Sequence, residues 1–391
     1  MTSEKLFAED RDYVLQTYAR FPVALASGRG ATAVDFEGGE YIDFTSGIGV
    51  NSLGFCDPDW AAAVSAQAHT LQHISNLYYT EPCAAVAETL CRRTGMKKVF
   101  FANSGAEANE GAIKAARKYS CTNYGEGRAT VVTLTNSFHG RTVTTLAATG
   151  QDVFHRYFHP FTGGFKHVEA NDPAALEAAL TPDVCAVMVE LVQGEGGVLS
   201  LDRDYVKRAA DLCAGKDVLF IVDEVQTGVG RTGTLFAFEQ FGVRPDIVTS
   251  AKGIGGGLPL GAVLFSAKTE RALGLGDHAT TFGGNPVAGA GARVVLAKLD
   301  EDFLAGVRGK AEKLRARIAN MPHVAGISGL GMMIGVSLDG VAARDVVIAG
   351  FTHGVLLLTA KDKLRLLPPL TISDAELRRG ADALETTLAS I

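Results

Sequence analysis

The sequence lacks paired cysteines and long apolar runs. Its six cysteines contain no C-x-x-C pair, and none follows Cys213, which argues against a disulfide framework and favours reduced thiols in the cytoplasm. No apolar run approaches the roughly 18 residues that a membrane span needs. The first residues, MTSEKLFAEDRDY, mix charged with apolar side chains, so we expect no secretory signal.

An excess of one charge is also missing. The 37 Lys and Arg residues nearly balance the 43 Asp and Glu residues, giving a formal net charge of −6. The basic residues are scattered without interleaved aromatic residues, so nucleic acid and membrane surfaces are disfavoured as partners. With 47% hydrophobic and 20% charged residues, the chain can bury a large core and differs from disordered proteins.

Several motifs of well-known enzyme classes do not occur. Without G-x-x-x-x-G-K-[ST] there is no support for a P-loop, and without G-x-S-x-G none for a serine hydrolase. Two histidine pairs, His69 with His73 and His155 with His159, have i,i+4 spacing but lack the glutamate of H-E-x-x-H. We therefore predict no metal site.

Glycine, in contrast, is abundant. The chain has 45 glycines among 391 residues, without a collagen-like period. Because glycine costs backbone entropy on folding, we expect tight turns or a close approach of the backbone to a ligand.

Short apolar runs alternate with helical patterns along the middle of the chain. We predict buried strands at 99–102, 131–135, 184–189, 218–222, 247–249 and 262–265, which have nearly continuous apolar sequences. Such runs, separated by helices, indicate an α/β domain with a mostly parallel sheet covered on both faces. We predict a large domain at 50–295 and a smaller α+β domain built from 1–49 and 296–391.

Polar residues follow three of the predicted strands, where an open α/β sheet binds its ligands. Ser104 and Gly105 open a helix whose N–H groups suit a phosphate, although an ordinary capped helix has the same pattern. Lys252 follows the strand DIVTSA and precedes a glycine-rich loop. A desolvated lysine in that place is a candidate Schiff-base nucleophile, the alternative being a solvated loop lysine.

The remaining strand of these three, VLFIV, is followed by Asp223 and Glu224. A carboxylate at the end of a buried apolar strand is removed from water and needs a partner. It could bind a metal, but the P-loop that usually accompanies such a strand is missing. The segment 228–233 formally matches G-x-G-x-x-G, but it begins several residues after the strand, which makes a dinucleotide site a weaker alternative. The third alternative is a carboxylate that pairs with a protonated ring nitrogen of a cofactor.

Six motifs occur in a recognisable order: NSGAEAN, SFHGRT, VQGEGG, DEVQTGVGRTG, SAKGIGGGLPLGA and TTFGGNP. In these the chain resembles the pyridoxal-phosphate-dependent class-III (ω-) aminotransferases, most closely their acetylornithine aminotransferase branch. The motifs span 103–286, and LRLLPPL extends the resemblance almost to the carboxyl end. The resemblance implies the fold of type I pyridoxal-phosphate enzymes and a homodimer.

The resemblance also implies roles for individual residues in binding pyridoxal phosphate. Lys252 would bind the cofactor as a Schiff base and then move the proton between the substrate's Cα and the cofactor's C4′, and Asp223 would keep the ring nitrogen protonated. Gly105 and Ala106 would bind the phosphate, Phe138 would stack on the ring, Gln226 would reach its phenolic oxygen, and Thr281 would bind the neighbouring subunit's phosphate. Ser104 and Val225 are also implied to bind the cofactor. Ten glycines would then lie in loops around the cofactor: Gly105, Gly228, Gly230, Gly233, Gly253, Gly255, Gly256, Gly257, Gly283 and Gly284.

For the substrate, the resemblance implies that Arg141 grips a carboxylate, with Thr280 nearby. Glu195 and Arg365 would pair while acetylornithine donates its terminal amine and part when glutamate or 2-oxoglutarate binds. The implied activity is transfer of that amine to 2-oxoglutarate in arginine biosynthesis. Alternatives are an ω-aminotransferase for ornithine, 4-aminobutyrate or succinylornithine, or a non-catalytic binding protein of this fold. Thr280 replaces a serine common in relatives, and the turn at 54–58 lacks their histidines.

Overall fold

Four sheets and the helices around them make up the computed structural model, which describes residues 2–391. Residue 1 of the predicted small domain lies outside the described residues. The strands are β1 Leu25–Arg29, β2 Thr32–Asp35, β3 Glu40–Asp43, β4 Lys98–Ala102, β5 Thr130–Leu134, β6 Phe165–Val168, β7 Val184–Val189, β8 Val192–Gln193, β9 Leu199–Ser200, β10 Leu219–Asp223, β11 Ile247–Ser250, β12 Gly261–Phe265, β13 Val324–Leu330, β14 Met333–Leu338, β15 Val355–Leu356, β16 Leu358–Ala360 and β17 Lys363–Leu366. The α-helices are α1 Ser3–Tyr13, α2 Ser46–Gly49, α3 Pro58–Thr70, α4 Glu81–Thr94, α5 Gly105–Tyr124, α6 Val143–Ala148, α7 Pro173–Ala179, α8 Arg203–Gly215, α9 Phe238–Phe241, α10 Pro286–Lys298, α11 Glu301–Ile318, α12 Ala343–Thr352 and α13 Asp374–Ala389. Two 3-10 turns cover Asp152–Phe154 and Lys252–Gly255.

The largest sheet has seven strands in the order β4-β12-β11-β10-β7-β5-β6. All neighbours pair in parallel except β12, which runs antiparallel to both β11 and β4. This confirms the α/β class and the mostly parallel, mixed sheet. Every residue of β7, β10, β11 and β12 is buried, because helices cover both faces and neither can be polar.

The six strands predicted from apolar runs are confirmed to within one residue at each end. The edge strand β6 was missed. In its sequence, FKHV, the polar residues Lys166 and His167 interrupt the apolar run. His167 is exposed, because an edge strand is covered less completely than a central strand.

Strands from the two ends of the chain share one sheet. The hairpin of β2 and β3 turns at Gly38 and Gly39, and β15 then pairs in parallel with β3. Ser373 and Glu376, spaced S-x-x-E, form a capping box at the start of α13. Glu376 Oε1 also accepts the N–H of Ala31 at 2.9 Å, so the last helix is tied to the first sheet. The boundary expected after residue 295 lies inside α10, and the division into two domains remains a prediction.

A buried arginine connects the loop after β10 with both ends of the chain. Arg231 is 2% exposed, and its Nη1 donates to the carbonyl oxygens of Met332 and Pro368. Burial lowers the pKa of Arg231 to about 10, while the charge of Asp43 opposes that shift. Asp43, on β3, is itself buried.

Among residues 2–391, no helix combines the length and the apolar composition of a bilayer crossing.

Candidate active site

A cavity of about 460 Å³ lies at the carboxyl ends of β4, β10 and β11. These strands end at one edge of the sheet, so residues far apart in sequence meet there. The cavity brings together nine of the predicted site residues: Ser104, Gly105, Ala106, Phe138, Arg141, Asp223, Val225, Gln226 and Lys252.

The start of α5 forms one end of the cavity. Ser104 is its N-cap and accepts the N–H of Glu107 at 3.2 Å, as predicted. The N–H groups of Gly105 and Ala106 are in the first turn, where no intrahelical acceptor exists. Because α5 is 20 residues long, its dipole adds to these donors. This end of the cavity is suited to a phosphate.

The carboxylate of Asp223, which also lines the cavity, is held by an amide and an imidazole side chain. Asp223, the last residue of β10, accepts Asn109 Nδ2 at 2.8 Å on Oδ2, and the same oxygen lies 2.8 Å from His139 Nδ1. Its Oδ1 accepts the N–H of Val225 at 3.0 Å. Burial alone would lower the pKa of His139, but the hydrogen bond and charge of Asp223 outweigh it, and the pKa is raised.

Lys252 stands two residues beyond β11, the strand next to β10. It begins a 3-10 turn with φ of 49°, a conformation that costs a non-glycine residue energy and is typical of functional sites. Burial lowers the pKa of Lys252, although the charges of Glu195 and Asp223 oppose the shift. A lower pKa increases the fraction of neutral, nucleophilic amine.

Glu190 is a buried acid that the sequence analysis missed. It follows β7 directly, lines the cavity, and accepts the backbone N–H of Phe138 at 2.8 Å. Burial raises the pKa of Glu190 to about 7. Asn109 and His139 were missed as well, although both lie inside the quoted motifs. The sequence does contain a signal for Glu190, because this acidic residue directly follows the predicted strand 184–189 at its carboxyl end.

Glu195 and Arg365 do not line the cavity, but they form a salt bridge in contact with Gln226, which does. Arg365 Nη1 pairs with Glu195 Oε1, and the same nitrogen donates to Gln226 Oε1 at 3.3 Å. Arg365 is only 3% exposed. Burial would raise the pKa of Glu195, but the charge of Arg365 outweighs burial and lowers it. The two residues are 170 positions apart.

Thr280 and Thr281 do not line this cavity. The hydroxyl of Thr280 accepts Asn103 Nδ2 at 3.1 Å and the N–H of Gly283 at 3.2 Å, while Thr281 is exposed. The substrate role of Thr280 and the role of Thr281 toward a second subunit remain predictions.

Two of the ten glycines, Gly105 and Gly257, line the cavity. The other eight do not line it, and the expectation that they lie around the cofactor remains a prediction. Gly230, for example, has φ of 84°, and a Cβ there would lie 2.9 Å from Leu299 and Leu370. Such glycines allow the loops that carry the site to pack against the rest of the protein. A Cβ on Gly105 would lie 2.6 Å from Val225 Cγ1, a residue of the cavity wall.

These residues fit pyridoxal phosphate. The cavity offers a phosphate site at α5, a desolvated lysine, and the carboxylate of Asp223, whose Oδ1 accepts a single N–H from the residues that the structure describes. Phe138 and Val225 supply apolar surface for a ring. Within the part of the chain that the structure describes, no group of three or more His, Cys, Asp or Glu could hold a metal ion.

Comparison with known proteins gives consistent results. The family model described as "Aminotransferase class-III" matches residues 13–388. An acetylornithine aminotransferase from Haemophilus ducreyi is 55% identical over 393 residues, covering 100% of both chains. The solved ornithine aminotransferase from Toxoplasma gondii, with pyridoxal phosphate at partial occupancy in its active site, is 35% identical with a TM-score of 0.95, covering 100% of this chain and 95% of that one. N-acetylornithine aminotransferase from Stenotrophomonas maltophilia is 37% identical with a TM-score of 0.85, covering 98% of each chain.

Proposed function

Because this chain belongs to the class-III aminotransferases, we propose that it transfers the terminal amino group of N-acetylornithine to 2-oxoglutarate. The products are N-acetylglutamate semialdehyde and glutamate, which places the reaction in arginine biosynthesis. The observation that carries this proposal is the contrast between two arginines. Arg365 is neutralised by Glu195, whereas the guanidinium of Arg141 has no acidic partner among residues 2–391 and is exposed beside the cavity.

That contrast suits a donor with one carboxylate and an uncharged acetylated amine. Arg141 takes the carboxylate of N-acetylornithine in a bidentate pair, while the paired Arg365 offers no competing charge. When 2-oxoglutarate or glutamate binds, Glu195 releases Arg365, which then takes the second carboxylate. The same site therefore accepts a monocarboxylate donor and a dicarboxylate acceptor in turn.

Pyridoxal phosphate, when bound, supplies a ring that takes up the electrons released at the substrate carbon. Gly105 and Ala106 would hold its phosphate, Phe138 and Val225 its ring, and Gln226 its phenolic oxygen, while Asp223 would keep the ring nitrogen protonated. Lys252 Nζ would remove the proton from the carbon that bears the reacting amine of the donor, and in the second half-reaction would deliver a proton to the carbon of 2-oxoglutarate that receives the amine.

We also propose that the enzyme is a homodimer in which Thr281 reaches the neighbouring subunit's phosphate. Four apolar side chains support this proposal because they lie exposed near Thr281: Leu77, Tyr78, Tyr79 and Phe282. The side chain of Asn76 joins their two segments, donating to the carbonyl oxygens of Thr280 at 3.2 Å and Gly283 at 2.8 Å. Exposed apolar patches commonly mark interfaces.

A cytoplasmic location accords with six unpaired thiols.

Ornithine is the second candidate donor, since an ornithine aminotransferase shares the fold at a TM-score of 0.95. The deciding experiment compares kcat/KM for N-acetylornithine, ornithine, succinylornithine and 4-aminobutyrate with 2-oxoglutarate as acceptor. We expect N-acetylornithine to give the highest value. A higher value for any of the other three would assign the donor differently while leaving the aminotransferase activity in place.

A further inference from the structure

Arg141 is held by aromatic rings instead of acids. Within residues 2–391 its guanidinium forms no hydrogen bond and no ion pair. Its carbon Cζ lies instead over the ring of Phe154, 4.4 Å from the centroid, and 5.7 Å from the centroid of Phe138. A cation over an aromatic face is attracted by the ring, and, unlike a carboxylate, the ring has no oxygen that would engage the five N–H donors in strong hydrogen bonds.

Phe154 has a fixed place relative to the cavity. It ends the 3-10 turn Asp152–Phe154, and its N–H donates to the carbonyl oxygen of Gln151 at 3.1 Å. The buried side chain of Gln151 donates to the carbonyl oxygen of Ser137 at 3.1 Å. The ring of Phe154 meets that of Phe138 edge to face, with centroids 5.8 Å apart and an angle of 77°. The turn is therefore fastened to the residues that carry Phe138.

We propose that Phe154 is a positioning residue that holds Arg141 ready for the substrate carboxylate. The inference rests on the proposed function, because it assumes that Arg141 binds this carboxylate. An acidic partner would hold an arginine equally well, but the substrate would have to displace it. An aromatic partner restrains the guanidinium and leaves every N–H donor available, so less side-chain freedom is lost when the carboxylate binds.

Phe154 then affects substrate binding more than the chemical step. Loss of the ring should leave Lys252 and Asp223 in place, since Phe154 is not among the residues that line the cavity and does not take part in the hydrogen bonds of Asp223. Loss of the ring frees Arg141 to sample other rotamers, which weakens every ligand that uses its carboxylate. A substitution that merely loosened the fold would instead lower kcat and the visible absorbance of the bound cofactor.

The test uses holoenzyme variants, with N-acetylornithine as substrate and glutarate as an unreactive dicarboxylate inhibitor. For Phe154→Leu we expect KM and the inhibition constant of glutarate to rise about 3–10-fold, with kcat changed by less than about twofold. Phe154→Tyr keeps the aromatic face and should stay within about twofold of the parent. Phe158→Leu, an exposed phenylalanine of the same segment, is the matched control and should change nothing.

Arg141→Ala is the reference variant that separates the two hypotheses. If it raises both constants and Phe154→Leu does not, the positioning role of Phe154 is wrong while the proposed function stands. If Arg141→Ala leaves both constants unchanged, Arg141 does not bind the carboxylate, and both the assignment of Arg141 and the role of Phe154 fail. A fall in kcat for Phe154→Leu at unchanged KM also overturns the inference, as does a loss in Phe154→Tyr equal to that in Phe154→Leu.

Discussion

Oδ2 of Asp223 lies 2.8 Å from Nδ1 of His139, and both side chains are almost fully buried. This contact and the one from Asn109 occupy the same carboxylate oxygen and fix the plane of the carboxylate. Among residues 2–391, Oδ1 accepts only the N–H of Val225, so it retains capacity for another donor. One oxygen of Asp223 thus anchors the group, and the other is left for a protonated ring nitrogen.

Replacing Asp223 tests whether its carboxylate keeps the ring nitrogen of the cofactor protonated. In Asp223→Asn we expect the amino-transfer half-reaction with N-acetylornithine to slow about 10²–10⁴-fold, because an amide does not stabilise a proton on the ring nitrogen. Cofactor binding should survive in part through the phosphate site at α5. The measurement is rapid mixing of holoenzyme with the donor, followed by visible absorbance. Asp211→Asn, an exposed position on α8, is the control, and an unchanged rate in Asp223→Asn would refute the role.

Removing Lys252 should abolish turnover. We expect Lys252→Ala and Lys252→Arg to lose at least about 10³-fold in kcat, since alanine cannot move a proton and arginine stays charged. Both should also lose the visible absorbance that covalent attachment of the cofactor produces. Lys207→Ala, exposed on α8, should behave as the parent. Full activity in Lys252→Ala would end the proposed mechanism.

The pair of Glu195 and Arg365 should control which ligand is bound. Glu195→Gln removes the negative charge that neutralises Arg365, so we expect the ratio of kcat/KM for N-acetylornithine to that for glutamate to fall about tenfold. Arg365→Ala should have the opposite effect, with most of its loss in the reaction with glutamate. The two half-reactions are measured separately. An equal change for both ligands in both variants would show that the pair is only structural.

The burial of Glu224 should make the free energy of unfolding depend on pH. Burial raises the pKa of Glu224 to about 7, compared with about 4.3 in an unfolded chain. Between these values the native protein keeps a proton that the unfolded chain has lost, so the free energy of unfolding falls as pH rises. Glu224 accepts the N–H of Phe238 at 2.8 Å, and a glutamine can keep that bond.

We therefore expect Glu224→Gln to gain about 1–3 kcal/mol over the parent between pH 5 and pH 8. The parent and the variant are compared by urea unfolding of the holoenzyme at each pH. Part of the decline should persist in the variant, because Glu190 also has a pKa of about 7. Glu312→Gln, exposed on α11, should follow the parent. A variant with the parent's full pH dependence would contradict the prediction.

Thr281 can be tested across subunits. Thr281→Ala should weaken cofactor binding about tenfold through loss of a hydrogen bond to the phosphate. A hybrid of one Thr281→Ala subunit and one Lys252→Ala subunit contains one complete site if Thr281 serves its neighbour. Such hybrids should regain tight cofactor binding at that site and up to about half of the parent's turnover. If Thr281 acts within its own chain, no hybrid site is complete, and the site that retains Lys252 should still bind the cofactor about tenfold more weakly than the parent.

Several features follow from the sequence because they depend on residues close together in the chain. The apolar runs of β7 and β10, the N-cap at Ser104 and the capping box at Ser373 each need only a few neighbouring positions. The order of six motifs pointed to the family, and with it to Lys252 and Asp223. Local pattern also explains the miss at β6, where two polar residues break the run.

Only the tertiary structure decided which distant side chains meet. Asn109, His139 and Asp223 come from three different strand–helix units, and their contact depends on how α5 crosses the sheet. The hold of Phe154 on Arg141 arises where a short 3-10 turn folds back on the loop that carries Phe138. Burial then changes the chemistry of these groups, raising the pKa of Glu190 and lowering that of Lys252. A side chain's protonation depends on the water removed around it and on the charges brought near it, and the order of residues in the chain gives neither directly.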